Sequence, residues 1–214
     1  MTTQAGPRDR TQGDVLAAYA DVARNAHAAL TRFDQIAGDG DFGDNLCDGL
    51  DAAQAAAAKQ PERSALETAA EVFLDEVGGT SGPLIGLLLH ALSRALDGGL
   101  ALDGWASGVR EGLASIQRVG EAEPGDRTMI DALVPAATAL EAGDTPETVA
   151  ATALAGARAT ANLRARRGRA SYVGERALGV PDPGAMGVAL LFWALASVTG
   201  HDLERLDPLD DLTR

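Results

Sequence analysis

Apolar residues recur along this chain at steps of three and four, the spacing that lines one face of a helix. Leu16, Tyr19, Val22, Ala26, Leu30 and Phe33 follow that rule and predict a first helix over residues 14–33. An alanine-rich second helix is predicted over 43–59, ended by Pro61, and a third over 64–77. The segment 83–96 is apolar on nearly every side, so it reads as a centrally placed helix stopped by Asp97, Gly98 and Gly99. A fifth helix is predicted over 103–119 and a sixth over 126–143. Thr145-Pro146-Glu147 supplies a capping hydroxyl, a proline at the first helical position and an acid, which starts a seventh helix over 146–166. Asp182-Pro183 repeats that start for an eighth, ending near Gly200.

No alternating strand pattern of useful length interrupts this series. The connections are short, so neighbouring helices should run antiparallel. The expectation is one all-α domain over 13–214, an eight-helix antiparallel barrel or bundle. A flexible tail is expected over 1–12, and the acidic segment after His201 is expected to be loosely held.

Composition supports the helical reading. Hydrophobic residues make up 46% of the 214 and aromatics only 4%, a balance that favours packed helices over a β-sandwich. The net charge of −13 argues against nucleic acid and against an anionic membrane surface as partners. That acidity serves solubility, or it reflects carboxylates that bind metal. The richest apolar run, 185–198, is shorter than a membrane span requires and reads as a buried helix. Residues 1–13 are polar and carry no apolar signal core. Cys47 is the only cysteine, so no internal disulfide forms and a reducing, cytoplasmic setting is expected. Lys59 is the only lysine, so contacts to phosphate fall to arginine or metal.

Four connections carry candidate chemistry. In Asp34-Gln35-Ile36-Ala37-Gly38-Asp39-Gly40-Asp41, three carboxylates stand at i, i+5 and i+7 across a helix end and a glycine turn. Like charges so close repel unless a cation lies between them, and hard oxygen donors suit magnesium. The plain alternative is a helix end followed by solvated acids. In Gly78-Gly79-Thr80-Ser81-Gly82-Pro83, glycines and two hydroxyls precede a helix. That is either an anion site or a glycine turn with a cap, and it is not a Walker A loop because the lysine is missing. Pro124 to Asp131 reads as a capped helix start, or places Arg127 and Thr128 by a phosphate and Met129 by a base. The last connection holds Arg164, Arg166, Arg167, Arg169 and Arg176 before Asp182-Pro183-Gly184, the one basic island in an acidic chain. Guanidinium forks match phosphate, and positive charge also complements a helix C-terminus. His27, His90 and His201 are scattered, without metal-ligand spacing.

In order, LTRFDQIAGDGDFGDN, GGTSGPLIG, GDRTMIDALVPA and GRASYVGERALGVPDPGA resemble the L subunit of dihydroxyacetone kinases over nearly the whole chain. The resemblance implies an eight-helix antiparallel barrel with ADP or ATP bound in the loops at one end. It implies that Asp34, Asp39 and Asp41 hold two magnesium ions, and that Gly79, Thr80, Ser81 and Gly82 form the phosphate loop. Asn45, Thr128, Met129, Arg176, Asp182 and Gly184 complete the implied nucleotide set, with Met129 near the adenine and Arg176 near the phosphates. No catalytic side chain is assigned. The implied partner is a K-type subunit that holds a small ketose, in a homodimeric or hetero-oligomeric kinase. A phosphotransferase-system M subunit is the alternative phosphate source. Some L subunits act instead as nucleotide-sensing regulators of a transcription factor. The sequence departs from the family where Phe42 stands in place of the usual His, and Asp44 adds a negative charge.

Overall fold

Thr11 opens the first helix. Its side chain accepts from the Asp14 N–H while Asp14 reaches back to the Thr11 N–H, a reciprocal capping box. The computed structural model describes residues 11–97 and 99–199. Residues 11 and 12, expected in a tail, are instead the cap and first residue of this helix, and Gln12 Nε2 donates to the Ser93 and Leu96 carbonyls. The rest of the expected tail and the segment after His201 lie outside the described residues.

Among the described residues, eight long helices follow one another: α1 (Gln12–Ala37), α2 (Phe42–Lys59), α3 (Ala65–Asp75), α4 (Ser81–Ala95), α5 (Leu102–Gly120), α6 (Ile130–Glu141), α7 (Pro146–Ala159) and α9 (Pro183–Val198). Between α7 and α9 lie a 3-10 turn (Thr160–Asn162), the short helix α8 (Ala170–Val173) and a second 3-10 turn (Gly174–Ala177). The described residues contain no strand. Each long helix packs on the next, and α9 packs back on α1, so the antiparallel series closes into a ring. None of these helices is long and apolar enough to cross a membrane.

The most buried helix is α9, not the segment 83–96. α4 keeps Pro83, Leu84, Leu87 and His90 half-buried because it is sandwiched mainly between α3 and α5. α9 touches α1, α2, α6 and α7, and its run from Pro183 through Phe192 is wholly buried. Each large apolar side chain so enclosed contributes roughly 1.5–3 kcal/mol. α5 approaches α4 closely because Gly108 and Gly112 lie against Leu92 and Leu88, where a Cβ would meet Leu92 Cα at 3.0 Å and Leu88 Cα at 3.2 Å.

Two predicted boundaries move for tertiary reasons. α6 begins at Ile130 rather than near 126, since Arg127 takes a left-handed φ of 63° and the Asp131 carboxylate accepts from the Gly125 and Thr128 N–H groups. α7 ends at Ala159 rather than 166, since the Thr160 hydroxyl donates to the Ala157 carbonyl and accepts from the Asp182 N–H.

Candidate functional site

One end of the ring gathers the α1–α2, α3–α4, α5–α6 and α7–α9 connections around a half-open cavity. The acidic loop forms one wall. α1 runs four residues further than its periodicity predicts, so Asp34 sits in its last turn. There the carboxylate is buried, and Oδ2 accepts from the Gly40 and Phe42 N–H groups, each at 3.0 Å. Asp34 therefore folds the loop as well as facing the cavity. Gly38 lies so close to Asp34 Oδ1 that any Cβ there would displace it. Asp39 is ion-paired with the Arg169 guanidinium across the cavity. Asp41 is exposed, makes no capping bond to α2 and does not line the cavity.

Two of the three predicted metal ligands thus reach the cavity and one does not. Among the described residues, no three His, Cys, Asp or Glu side chains converge closely enough to hold a metal. The donor chemistry still fits magnesium, which takes one or two carboxylates and completes its shell with phosphate oxygens and water. The Arg169–Asp39 pair shows that this wall accepts a cation.

The opposite wall is residues 78–82. α4 starts at Ser81, two residues before the predicted start, and Thr80 makes no side-chain cap; Pro83 has no N–H, so the donors left without a side-chain acceptor are those of Ser81 and Gly82. Gly79, at φ 77°, lies between the Arg169 guanidinium and the Asn45 amide. Gly79, Thr80, Ser81, Gly82 and Asn45 all line the cavity, as predicted positions. Thr128, Met129, Asp182 and Gly184 line it from the other side, with Met129 packed beside Gly184. Asp182 caps α9 by accepting from the Ala185 N–H at 2.8 Å. Burial pushes its carboxyl up to about 6, against the opposing pull of that N–H and of Arg127.

Arg176 does not join this group. It is exposed in the second 3-10 turn and lines no part of the cavity, because the turn buries Ala177 and leaves Arg176 on its outer side. The arginine that the fold delivers is Arg169, just before α8, with Arg167 beside it. Arg169 was visible in the basic island, but nothing in the sequence ranked it above Arg176. Arg127 was likewise visible, but its complete burial was not. Phe73, Ile85 and Ile116 line the apolar depth and are indistinguishable from core in the sequence. Phe42 also faces the cavity, and it packs against Gly187 of α9, where a Cβ would stand 2.9 Å from Phe42 Cζ. The added Asp44 points elsewhere and pairs with His27 Nε2 at 2.6 Å.

Comparison with known proteins agrees with this architecture. The chain is 38% identical over 194 residues to the L-erythrulose 1-kinase of Mycolicibacterium smegmatis, covering 85% of this chain and 34% of that protein, so it spans about a third of that relative. It is 38% identical over 170 residues to a Listeria innocua protein named the ADP-binding subunit DhaL of PEP-dependent dihydroxyacetone kinase 1, covering 78% of this chain and 84% of that protein. The crystal structure of the dihydroxyacetone kinase of C. freundii superposes with a TM-score of 0.67 at 26% identity, over 92% of this chain and 37% of that one. The profile of the DAK2 domain matches residues 36–197, which is most of the chain. The chain belongs to the DAK2 domain family.

Proposed function

We propose that this chain is the ADP- or ATP-binding subunit of a dihydroxyacetone-kinase-like phosphotransferase that acts on a small ketose. The observation that carries this reading is the convergence of an acidic loop, an uncapped helix start and the Arg169 guanidinium on one cavity. Open N–H groups and a guanidinium fork are the two protein groups best matched to phosphate oxygens. In this reading residues 79–82 and Asn45 cradle the phosphates, and Thr80 and Ser81 add hydroxyls. Arg169 takes the role first expected of Arg176. Met129 and Gly184 face the base, and Thr128 and Asp182 complete the wall.

Asp34, Asp39 and Asp41 would hold two magnesium ions, and bound magnesium would supply neutralisation of phosphate charge. Asp41 qualifies as the third donor because its carboxylate makes no cap bond. Transfer of this kind depends mainly on positioning and charge compensation, which is what these side chains offer.

The acceptor would arrive on a K-type subunit in a hetero-oligomeric, cytoplasmic enzyme. The rim supports such a partner: Ile36, Leu74, Val119, Tyr172 and Leu178 are exposed apolar residues, all at the cavity end. The name of the Listeria relative favours bound ADP that is recharged by a phosphotransferase-system M subunit over exchange of ATP.

Titration calorimetry with Mg-ADP and Mg-ATP, with and without chelator, tests the reading. Binding should need the metal, and Asp39→Asn should weaken it by about tenfold or more. An Asp39→Asn variant that binds as tightly as the parent would overturn the site. Mixing the protein with a ketose-loaded K-type subunit and ATP should then yield sugar phosphate.

A further inference from the structure

Arg127 is the only buried basic residue among those described, with a side chain fully shielded from solvent. Its place is costly. It is a non-glycine residue at φ 63°, and its Nε and Nη1 find no hydrogen-bond partner in the protein. Its Nη2 donates to the Ala177 and Val180 carbonyls, both at 2.9 Å, which fastens the turn before α9 to the cavity wall. Its Nη1 stands 4.0 Å from Asp182 Oδ2. Two carbonyls alone would be satisfied by a neutral donor. A strained and desolvated cation is explained by what it faces.

We propose that Arg127 is a positioning residue for nucleotide binding: it clamps residues 177–182 and keeps the Asp182 carboxylate a fixed, ionised acceptor at the cavity. This rests on the nucleotide reading above. Asp182 is held on three sides, by the Ala185 N–H on Oδ1, by its own N–H on the Thr160 hydroxyl and by Arg127. The other charged groups that face it are Asp131 of α6 and Asp34 of α1, and both disfavour its ionisation, as burial does. Arg127 is the positive charge that opposes them. Without it, Asp182 takes up a proton at higher pH and presents a donor where an acceptor stood.

The test is Mg-ADP affinity by calorimetry from pH 5.5 to 8.5 in the full chain, with Arg127→Gln, Arg127→Lys, Asp182→Asn and the Arg127→Gln/Asp182→Asn double variant. Wild-type affinity should fall as pH drops through about 6. Arg127→Gln should bind about tenfold more weakly at pH 7 and recover part of that loss at pH 8.5. Arg127→Lys, which keeps the charge but not the planar fork, should lose less affinity at pH 7 than Arg127→Gln. In the Asp182→Asn background, Arg127→Gln should add no more than about twofold. An equal loss at every pH and in both backgrounds would reduce Arg127 to a scaffold residue and overturn the proposal, as would unchanged binding. If Arg127→Gln does not fold, wild type and Asp182→Asn decide. A pH break present in the first and absent in the second supports the proposal, and a break in both overturns it. A wild type that binds no Mg-ADP at any pH removes the nucleotide reading itself, a result distinct from all of these.

Discussion

The two ends of the helical ring begin their helices differently. Away from the cavity, Thr11, Ser64 and Thr145 each accept from the backbone N–H of the third residue of α1, α3 and α7. At the cavity end, α2, α4 and α6 start at Asp41, Thr80 and Met129 with no side-chain cap. Asp41 and Thr80 have capping chemistry and do not use it. Each end has one exception: α5 starts uncapped at Ala101, and α9 is capped by Asp182. The difference teaches that one end satisfies its first helical N–H groups from the N-cap residue itself, whereas the other borrows Asp34 for Phe42 and Thr128 for Ile130 and leaves the start of α4 without a side-chain acceptor. The cavity end is then held by these longer-range bonds and by packing.

That inference can be broken by substitution. Gly43 packs into α1, where a Cβ would collide with the Thr31 hydroxyl and lie 2.9 Å from the His27 carbonyl. Gly43→Ala should cost about 2–3 kcal/mol of stability in urea denaturation, the largest stability effect in this series. Next in size, Arg169→Gln should weaken Mg-ADP binding by about tenfold to a hundredfold, while Arg176→Gln changes it by less than about twofold. Equal losses in the two would undo the assignment of Arg169. Thr145→Ala should cost about 1 kcal/mol in the same denaturation and leave nucleotide affinity alone. Thr80→Ala, the same change at a helix start of the other end, should cost only about 0.5 kcal/mol or less, because no cap bond is lost. Its signature should be weaker nucleotide binding. A full cap-sized stability loss at Thr80 would erase the contrast between the ends.

The features legible in the sequence were local ones. Thr145-Pro146 and Asp182-Pro183 start α7 and α9 where predicted, because cap and proline act within a few residues. The apolar spacing found all eight long helices. It did not find the end of α7, which depends on a bond between Thr160 and a residue 22 positions away. Nor did it find the start of α6, because Arg127 adopts a backbone region that its residue type does not announce. At the site, the glycine loop and Asp34 were legible from composition, whereas choosing between Arg169 and Arg176 required knowing which side of a 3-10 turn faces inward. The central helix was misjudged for a related reason. α4 carries His90 and Arg94 where α9 has no charged residue, and the order in which the ring closes sets α9 against α1, α2, α6 and α7.

The placement of the indoles has a practical corollary. Trp105 opens α5 and Trp193 lies late in α9, so both emit from the pole opposite the cavity. Trp105 is fully enclosed, tilted 53° against Phe192 at 6.3 Å. Intrinsic fluorescence is therefore a built-in melting probe that stays dark to occupancy. Any change in indole emission on adding ligand would mean that the helices themselves had carried a displacement from one pole to the other.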